Sequence, residues 1–457
     1  MKLKFEGGDY DAVIEIASII KDIGGRAFLV GGCVRDALLG HPVKDYDVEI
    51  YGVSADALEK ALEGRFKLSR VGISFGVFKV NGHEIDIALP RTESKVGAGH
   101  RGFIVDTNPE LSYDEATARR DFTINAIMYD PLDGEFIDPW HGIDDLHNGI
   151  LRHTSPHFTE DPLRVLRCMQ FVSRLGFEVA SETMTLCSTL SQDELPPERL
   201  AGEWEKLLLK GTKPSLGLEF LRACGWVRYY PELNALIGCE QSSKWHPEGD
   251  VWIHTILALD AAVDYRTGIL DDDLCLMLGV LCHDFGKPVT SVCIDGTITS
   301  KGHPEAGVKP AESFVSRIWN RPDIIKQVGL LVKHHMEPFF LVKGNARDSA
   351  YRRLALDVKR MDLLYKVSCC DTLGIRRPGV SLECMELFWK RTQELAIKDS
   401  VPKPIVLGRH LMPMGIKPGP EMGKILHYCF EAQLEGEFSD IDGGLEFARK
   451  LCQEAAK

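Results

Sequence analysis

An α+β head followed by a long α-helical body is the fold class that this 457-residue chain predicts. Up to about Pro139, short apolar runs of strand length alternate with amphipathic helical stretches. From about Thr159 onward the 3.6-residue period takes over, interrupted at Pro196-Pro197, residues 211–214, Pro231 and Pro247. The length suits two to four domains, and an apolar fraction of 44% is ordinary for a globular chain. No internal repeat or low-complexity segment interrupts this order.

The head reads as helix 10–23, strand 27–30, a glycine pair, helix 34–39, strand 46–51, helix 55–62 and strands 76–80 and 84–88. Residues 91–115, rich in glycine and charge, read as a mobile loop. Further along, a helix over 251–263 precedes the longest apolar run, 274–282, which Gly286-Lys287-Pro288 stops. A last helix covers 422–432.

That apolar run is far shorter than a bilayer span, and Met1-Lys2-Leu3-Lys4-Phe5-Glu6 lacks a signal-peptide core. Thirteen cysteines form no Cys-x-x-Cys pair, and Cys33, Cys168 and Cys282 sit in apolar patterns. Buried thiols in a reducing cytoplasm are the expectation, with no membrane partner. A net charge of −13 argues against nonspecific adhesion to nucleic acid, but leaves room for a local basic face.

Chemistry concentrates first in Leu29-Val30-Gly31-Gly32-Cys33-Val34-Arg35-Asp36 and Asp45-Tyr46-Asp47. A strand passing through two glycines into a helix aims backbone N–H groups at an anion such as a triphosphate. With a side-chain period of two, Asp45 and Asp47 share a face and repel each other unless a cation lies between them. Beside phosphates that cation is Mg²⁺, so the pair reads as a metal-dependent nucleotidyl-transfer site. Asp86 is a candidate third carboxylate. Arg119-Arg120-Asp121-Phe122-Thr123-Ile124-Asn125-Ala126 offers guanidinium forks suited to phosphate oxygens.

In Thr159-Glu160-Asp161-Pro162-Leu163-Arg164-Val165-Leu166-Arg167, Pro162 suits the first helical position. Asp161, Arg164 and Arg167 recur every three residues, on one helical face. An Asp beside an Arg offers an acceptor and donors to the edge of a base. A surface salt bridge is the plainer reading of the same spacing.

Gly31-Gly32-x-x-Arg35-Asp36, Asp45-x-Asp47, the Arg119–Ala126 run and Glu160-Asp161-x-x-Arg164, in this order, resemble the successive motifs of the class II tRNA nucleotidyltransferases. This is the family of bacterial CCA-adding enzymes and poly(A) polymerases, within the DNA polymerase β superfamily, and the resemblance covers roughly residues 25–240. It implies a polymerase-β-like head in which Asp45 and Asp47 hold Mg²⁺. Gly32, Arg35 and Arg120 would contact nucleotide phosphates or sugar, with Gly31, Arg119, Asp121 and Asn125 in the same binding site. Asp161 and Arg164, assisted by Arg167, would select CTP and ATP for addition to the tRNA 3′ end. Addition of only A or only CC, or poly(A) synthesis, would use the same motifs. A phosphohydrolase with a nucleotide-binding head is the reading from another class, and the intact Asp45 and Asp47 argue against it.

A second constellation gathers His246, His254, His283, His303, His334 and His335, with Asp284 and Asp371. Imidazoles and carboxylates drawn from separate helices suit a divalent metal that activates water. The order His254, His283-Asp284, Asp371 resembles an HD-type phosphohydrolase domain. This implies those four as ligands of a transition metal or Mg²⁺, with His303 and His334 as further candidates. Some CCA-adding enzymes carry such a domain, active on 2′-nucleotides and 2′,3′-cyclic phosphates. The implied division is a catalytic head (1–140), a helical neck and body for nucleotide selection and RNA binding (141–244), an HD domain (245–375) and a helical tail (376–457). Arg409 and Lys417 in the tail are candidate tRNA contacts. Oligomeric state is not legible.

Overall fold

The computed structural model describes residues 3, 5, 7–70, 76–95, 103–193, 195–397 and 401–455. It divides into two compact units, Met1–Tyr229 and Tyr230–Lys457. The first mixes sheet and helix, and the second is helical apart from one short hairpin, so the α+β class holds. Among the described residues no helix is long and apolar enough to cross a membrane.

The first unit is built on a seven-stranded sheet. Its chain order begins α1 (Gly8–Asp22), β1 (Arg26–Val30), α2 (Gly32–Leu38), β2 (Tyr46–Tyr51), α3 (Ala55–Leu62), β3 (Leu68–Arg70), β4 (Val77–Val80) and β5 (Ile85–Ala88). It continues with β6 (Arg91–Lys95), β7 (Phe103–Thr107), α4 (Tyr113–Ala118), β8 (Met128–Tyr129), β9 (Phe136–Ile137), α5 (Gly142–His147) and, past a short 3₁₀ turn, α6 (Leu163–Leu175). In space the sheet runs β3-β4-β5-β2-β1-β8-β9. Strand β2 pairs parallel with β5, and the other pairings are antiparallel.

Alternation along β2 places Tyr46, Val48 and Ile50 in the core on one face and turns Asp47, Glu49 and Tyr51 to the other. Apolar residues of α1 (Val13, Ile16, Ile20) and α3 (Leu58, Leu62) are fully buried, which is the amphipathic packing that covers such a sheet.

The mobile loop expected over residues 91–115 is corrected in part. Strands β6 and β7 pair antiparallel from Arg91↔Thr107 to Lys95↔Phe103, and α4 begins at Tyr113 behind a Ser112–Glu115 capping box. Residues 96–102 lie outside the described residues. Glycine and charge density suggested a loop, but backbone pairing along the ribbon satisfies the N–H and C=O groups locally, whatever the side chains.

In the second unit, helices Val251–Ala262, Leu270–Cys282, His303–Ile318, Pro322–His334 and Met361–Gly374 pack together around a layer of fully buried apolar residues. These include Leu276, Leu278, Leu281, Phe314, Val328, Leu331 and Leu364. A hairpin of Val292–Ile294 and Thr297–Thr299 precedes the helix that begins at His303, and it carries the exposed Cys293. The tail forms a small core of its own from Val406, Leu411, Met422, Cys429, Phe438 and Ala448 around helices Pro420–Glu435 and Ile441–Ala455.

Candidate nucleotide and metal sites

The parallel register of β2 and β5 sets Asp47 opposite Asp86, so two carboxylates stand side by side on one face of the sheet. Asp45 lies just before β2 and, like Asp47 and Asp86, is exposed. The Asp47 carboxyl is held above the usual carboxylate range. Protein bulk around it is the main cause, Arg120 pulls the other way, and Asp86, Asp45 and Glu49 add like charge. Three converging carboxylates with too little positive charge suit a divalent cation held by oxygen ligands.

Helix α2 starts at Gly32, two residues earlier than expected, and no side chain caps its first turn. Gly31 takes φ 73°, which favours glycine. A Cβ there would lie 3.2 Å from Arg120 Nη1 and 3.5 Å from Asp47 Oδ2, so the turn passes close beneath both groups.

Glu49, two residues beyond Asp47 on the same face, is fully buried and receives Arg119 Nη2 at 3.2 Å and Arg120 Nη2 at 3.3 Å. The motif reading missed this anchor of two site arginines. The signal was present in the period-two series 45, 47, 49.

Arg35 is also buried, its Nη1 donating to Asn125 Oδ1 at 2.7 Å and its Nε to Asp36 at 2.8 Å. Asn125 Nδ2 in turn donates to Asp121 Oδ1 (2.9 Å), and Asp121 Oδ2 accepts from Arg167 Nε (2.6 Å). Burial alone would raise the Asp121 carboxyl, yet Arg167 and Asn125 hold it below the usual carboxylate range. Arg35, Arg167 and Arg174 all approach the Phe171 ring, with guanidinium carbons 5.1, 5.6 and 5.6 Å from its centroid.

Asp161 and Arg164 each bond to further partners in this unit. Asp161 precedes α6 in an extended conformation. Its Oδ1 accepts from Leu163 N (3.2 Å), and both of its oxygens accept from the Arg199 guanidinium, at 3.2 and 2.7 Å. Arg164 donates Nη1 to the His157 carbonyl (2.6 Å) and Nη2 to the Arg119 carbonyl. A proline at the helix start leaves the residue before it outside the helical spiral, so Asp161 stands ahead of α6 rather than within it. Arg199, 38 residues away, was invisible to local spacing.

In the second unit, His254, His283 and Asp371 point ring nitrogens and a carboxylate oxygen at one another, as do Asp284, His303 and His335. His254 Nε2 is 2.9 Å from Asp371 Oδ1. His283 Nε2 is 3.7 Å from the same oxygen and 3.2 Å from Asp284 Oδ2. His254, His283, Asp284 and His335 are at most 1% exposed.

Each ring is fixed from behind. His254 Nδ1 faces Glu248 Oε1 (2.8 Å), while the Nδ1 atoms of His283, His303 and His335 donate to the carbonyls of Val280, Ser300 and Val332. His283 Nε2 is buried without a hydrogen-bond partner, the kind of orphan that a metal satisfies. Burial pushes the His254 imidazole down, but Asp371 and Glu248 on either side win and hold it at about 9. His335, crowded by His283 and His303, is pushed down to about 3, chiefly by burial.

His334, a candidate ligand by sequence, lies outside both groups, and its neighbour His335 takes the place. Adjacent helical positions are turned about 100° from each other, so only one of two consecutive histidines faces a given centre. Glu248, which steadies both His246 (2.9 Å) and His254, and Lys287, 2.6 Å from Asp284 Oδ2, were not foreseen.

Comparison with known proteins bears on both units. Residues 27–152 match the Poly A polymerase head domain family. The Multifunctional CCA protein of Methylobacillus flagellatus is 42% identical over 372 residues, covering 79% of this chain and 87% of that protein. Among solved structures, the CCA-adding enzyme of Bacillus stearothermophilus in complex with CTP has the same fold, with TM-score 0.67 at 20% identity over 99% of both chains. The Thermotoga maritima CCA-adding enzyme complexed with tRNA superposes with TM-score 0.61 at 19% identity, over 97% of this chain and 95% of that one.

Proposed function

The chain belongs to the class II tRNA nucleotidyltransferase family, and from that premise we propose that it builds the CCA end of tRNA from CTP and ATP and carries a second, hydrolytic centre. The observation that carries the first part is the convergence of Asp45, Asp47 and Asp86 beside Arg120 and the Gly31 turn. Mg²⁺ held there would act as a Lewis acid on the phosphate oxygens.

The protein's own groups do the rest. Arg120, anchored by Glu49, presents fixed positive charge to the triphosphate, and the Gly31-Gly32 backbone lets the phosphates come close. The Arg35–Asn125–Asp121–Arg167 chain of hydrogen bonds holds α2, the Arg119–Ala126 segment and α6 in one arrangement, so the base and the triphosphate are read in a fixed relation. Asp161 with Arg199, and Arg164 through the carbonyls it grips, form the protein template that chooses C and A. The tRNA 3′-hydroxyl attacks the α-phosphate and pyrophosphate leaves.

The second unit supports a metal-dependent phosphohydrolase, with His254, His283, Asp284 and Asp371 as ligands and 2′-nucleotides or 2′,3′-cyclic phosphates as substrates. The bound metal would supply an acidified water.

Incubating the protein with tRNA ending in the discriminator base, in C or in CC, with CTP or ATP supplied separately, tests the first reading. C is expected on the first two substrates, and A on the third. Extension of the CC-ending tRNA alone would make this an A-adding enzyme, and long homopolymeric products would make it a poly(A) polymerase.

A further inference from the structure

The second unit leaves Trp245 53% exposed, while Trp252, seven residues on, is 1% exposed. An indole in water gives up the stabilisation that burial of its apolar face would bring. Two cations lie over this ring. The Arg377 guanidinium carbon is 4.9 Å from its centroid and Lys244 Nζ is 5.2 Å away. Among the described residues neither cation pairs with a carboxylate, so both charges stay available to an anion on a chain whose net charge is −13.

The position of this ring is set by Glu248. Its Oε1 meets His246 Nδ1 at 2.9 Å and His254 Nδ1 at 2.8 Å, and its Oε2 accepts from Arg376 N at 3.2 Å. One buried carboxylate therefore pins the segment of Trp245 and the segment of Arg377 to the back of His254. The other nitrogen of His254 faces Asp371 Oδ1 at 2.9 Å. The His246 ring, next in sequence to Trp245, has its centroid 4.8 Å from that of His254. An open aromatic face and two unpaired cations thus stand one residue from a ring packed on the hydrolytic centre.

We propose that Trp245 is the base-binding platform of the second unit. The nucleobase of a nucleoside 2′,3′-cyclic phosphate, free or at an RNA end, stacks on the indole, while Lys244 and Arg377 attract its phosphate. The inference rests on reading this unit as a phosphohydrolase and adds the group that recognises the nucleoside. Every base has a π face, so the platform holds purines and pyrimidines alike.

The test compares the full chain with its Trp245→Ala and Trp245→Phe variants, with Mn²⁺ present. Substrates are adenosine 2′,3′-cyclic phosphate and glycerol 1,2-cyclic phosphate, which has no base. Trp245→Ala should raise KM for the nucleotide roughly ten- to a hundredfold. Its kcat should hold, as befits lost ground-state binding, and the glycerol ester should be cleaved as before. Trp245→Phe should restore most of the affinity. An RNA oligonucleotide ending in a 2′,3′-cyclic phosphate should show the same rise. A rise on the oligonucleotide alone would put an upstream base on the ring and overturn the assignment. Parent hydrolysis of both small substrates with Trp245→Ala unchanged would overturn the platform and leave the hydrolase reading in place. Parent hydrolysis of neither would remove the hydrolase reading, and indole fluorescence then decides the platform. Adenosine 2′,3′-cyclic phosphate should quench the parent more than Trp245→Phe, and equal quenching in both would overturn it.

Discussion

Glu49 shows how a residue outside the chemistry can govern it. Its carboxylate is buried against two guanidinium groups, so removing it takes a shared buried anion away from both. Breaking a buried pair in this way costs about 3–5 kcal/mol. Glu49→Ala should therefore lower the thermal stability of the Met1–Tyr229 unit and abolish nucleotide addition. Differential scanning calorimetry alongside an extension assay checks this, and unchanged values in both would reduce the carboxylate to filler. Arg199 presents the opposite case, a partly exposed partner of Asp161. Loss of a charge-assisted hydrogen bond is typically about 1.5–3 kcal/mol. Arg199→Ala should relax discrimination against UTP and GTP by roughly one to two decades while leaving pyrophosphate inhibition unchanged, as competing single-nucleotide incorporation would reveal.

Between elements, close backbone approach matters more than side-chain type. A Cβ on Gly286 would fall 2.0 Å from the His303 carbonyl oxygen and 2.6 Å from Gly307 N. Gly286→Ala must push the His303–Ile318 helix away, and His303 with it. Nucleotide addition should survive, and metal-dependent hydrolysis should drop at least tenfold. A crystal structure of the variant with the helix unmoved would refute the explanation. Local patterns made much of this architecture legible: β2 and α3 appear with the bounds read from the sequence, since alternation and capping are local properties. The β6–β7 ribbon was missed because its stability comes from cross-strand pairing that composition does not encode. Likewise, choosing His335 over His334 needed the phase of a helix end, which the sequence leaves ambiguous by a residue or two.

At the level of the whole molecule, each unit carries its own donors, and their chemistry differs. Head carboxylates at positions 45, 47 and 86 favour a hard ion, whereas the imidazole-rich centre favours a transition metal. Chelation should abolish both activities. Mg²⁺ alone should restore CTP and ATP incorporation, and hydrolysis of 2′,3′-cyclic nucleotides should return only with Mn²⁺, Co²⁺ or Ni²⁺. Recovery of both with Mg²⁺ would contradict the assignment of donors. The two separate donor sets were legible in the sequence because their motifs stand in order along it. The pairing of Asp161 with Arg199 and the anchoring of two arginines by Glu49 were not, since both depend on which surfaces the fold brings face to face.

The hairpin ahead of His303 has a practical consequence. All thirteen thiols are free, nine are buried, and Cys293 alone is exposed. A maleimide dye used sparingly should thus mark this one hairpin, giving a fluorescent reporter one strand ahead of His303 without any engineered cysteine.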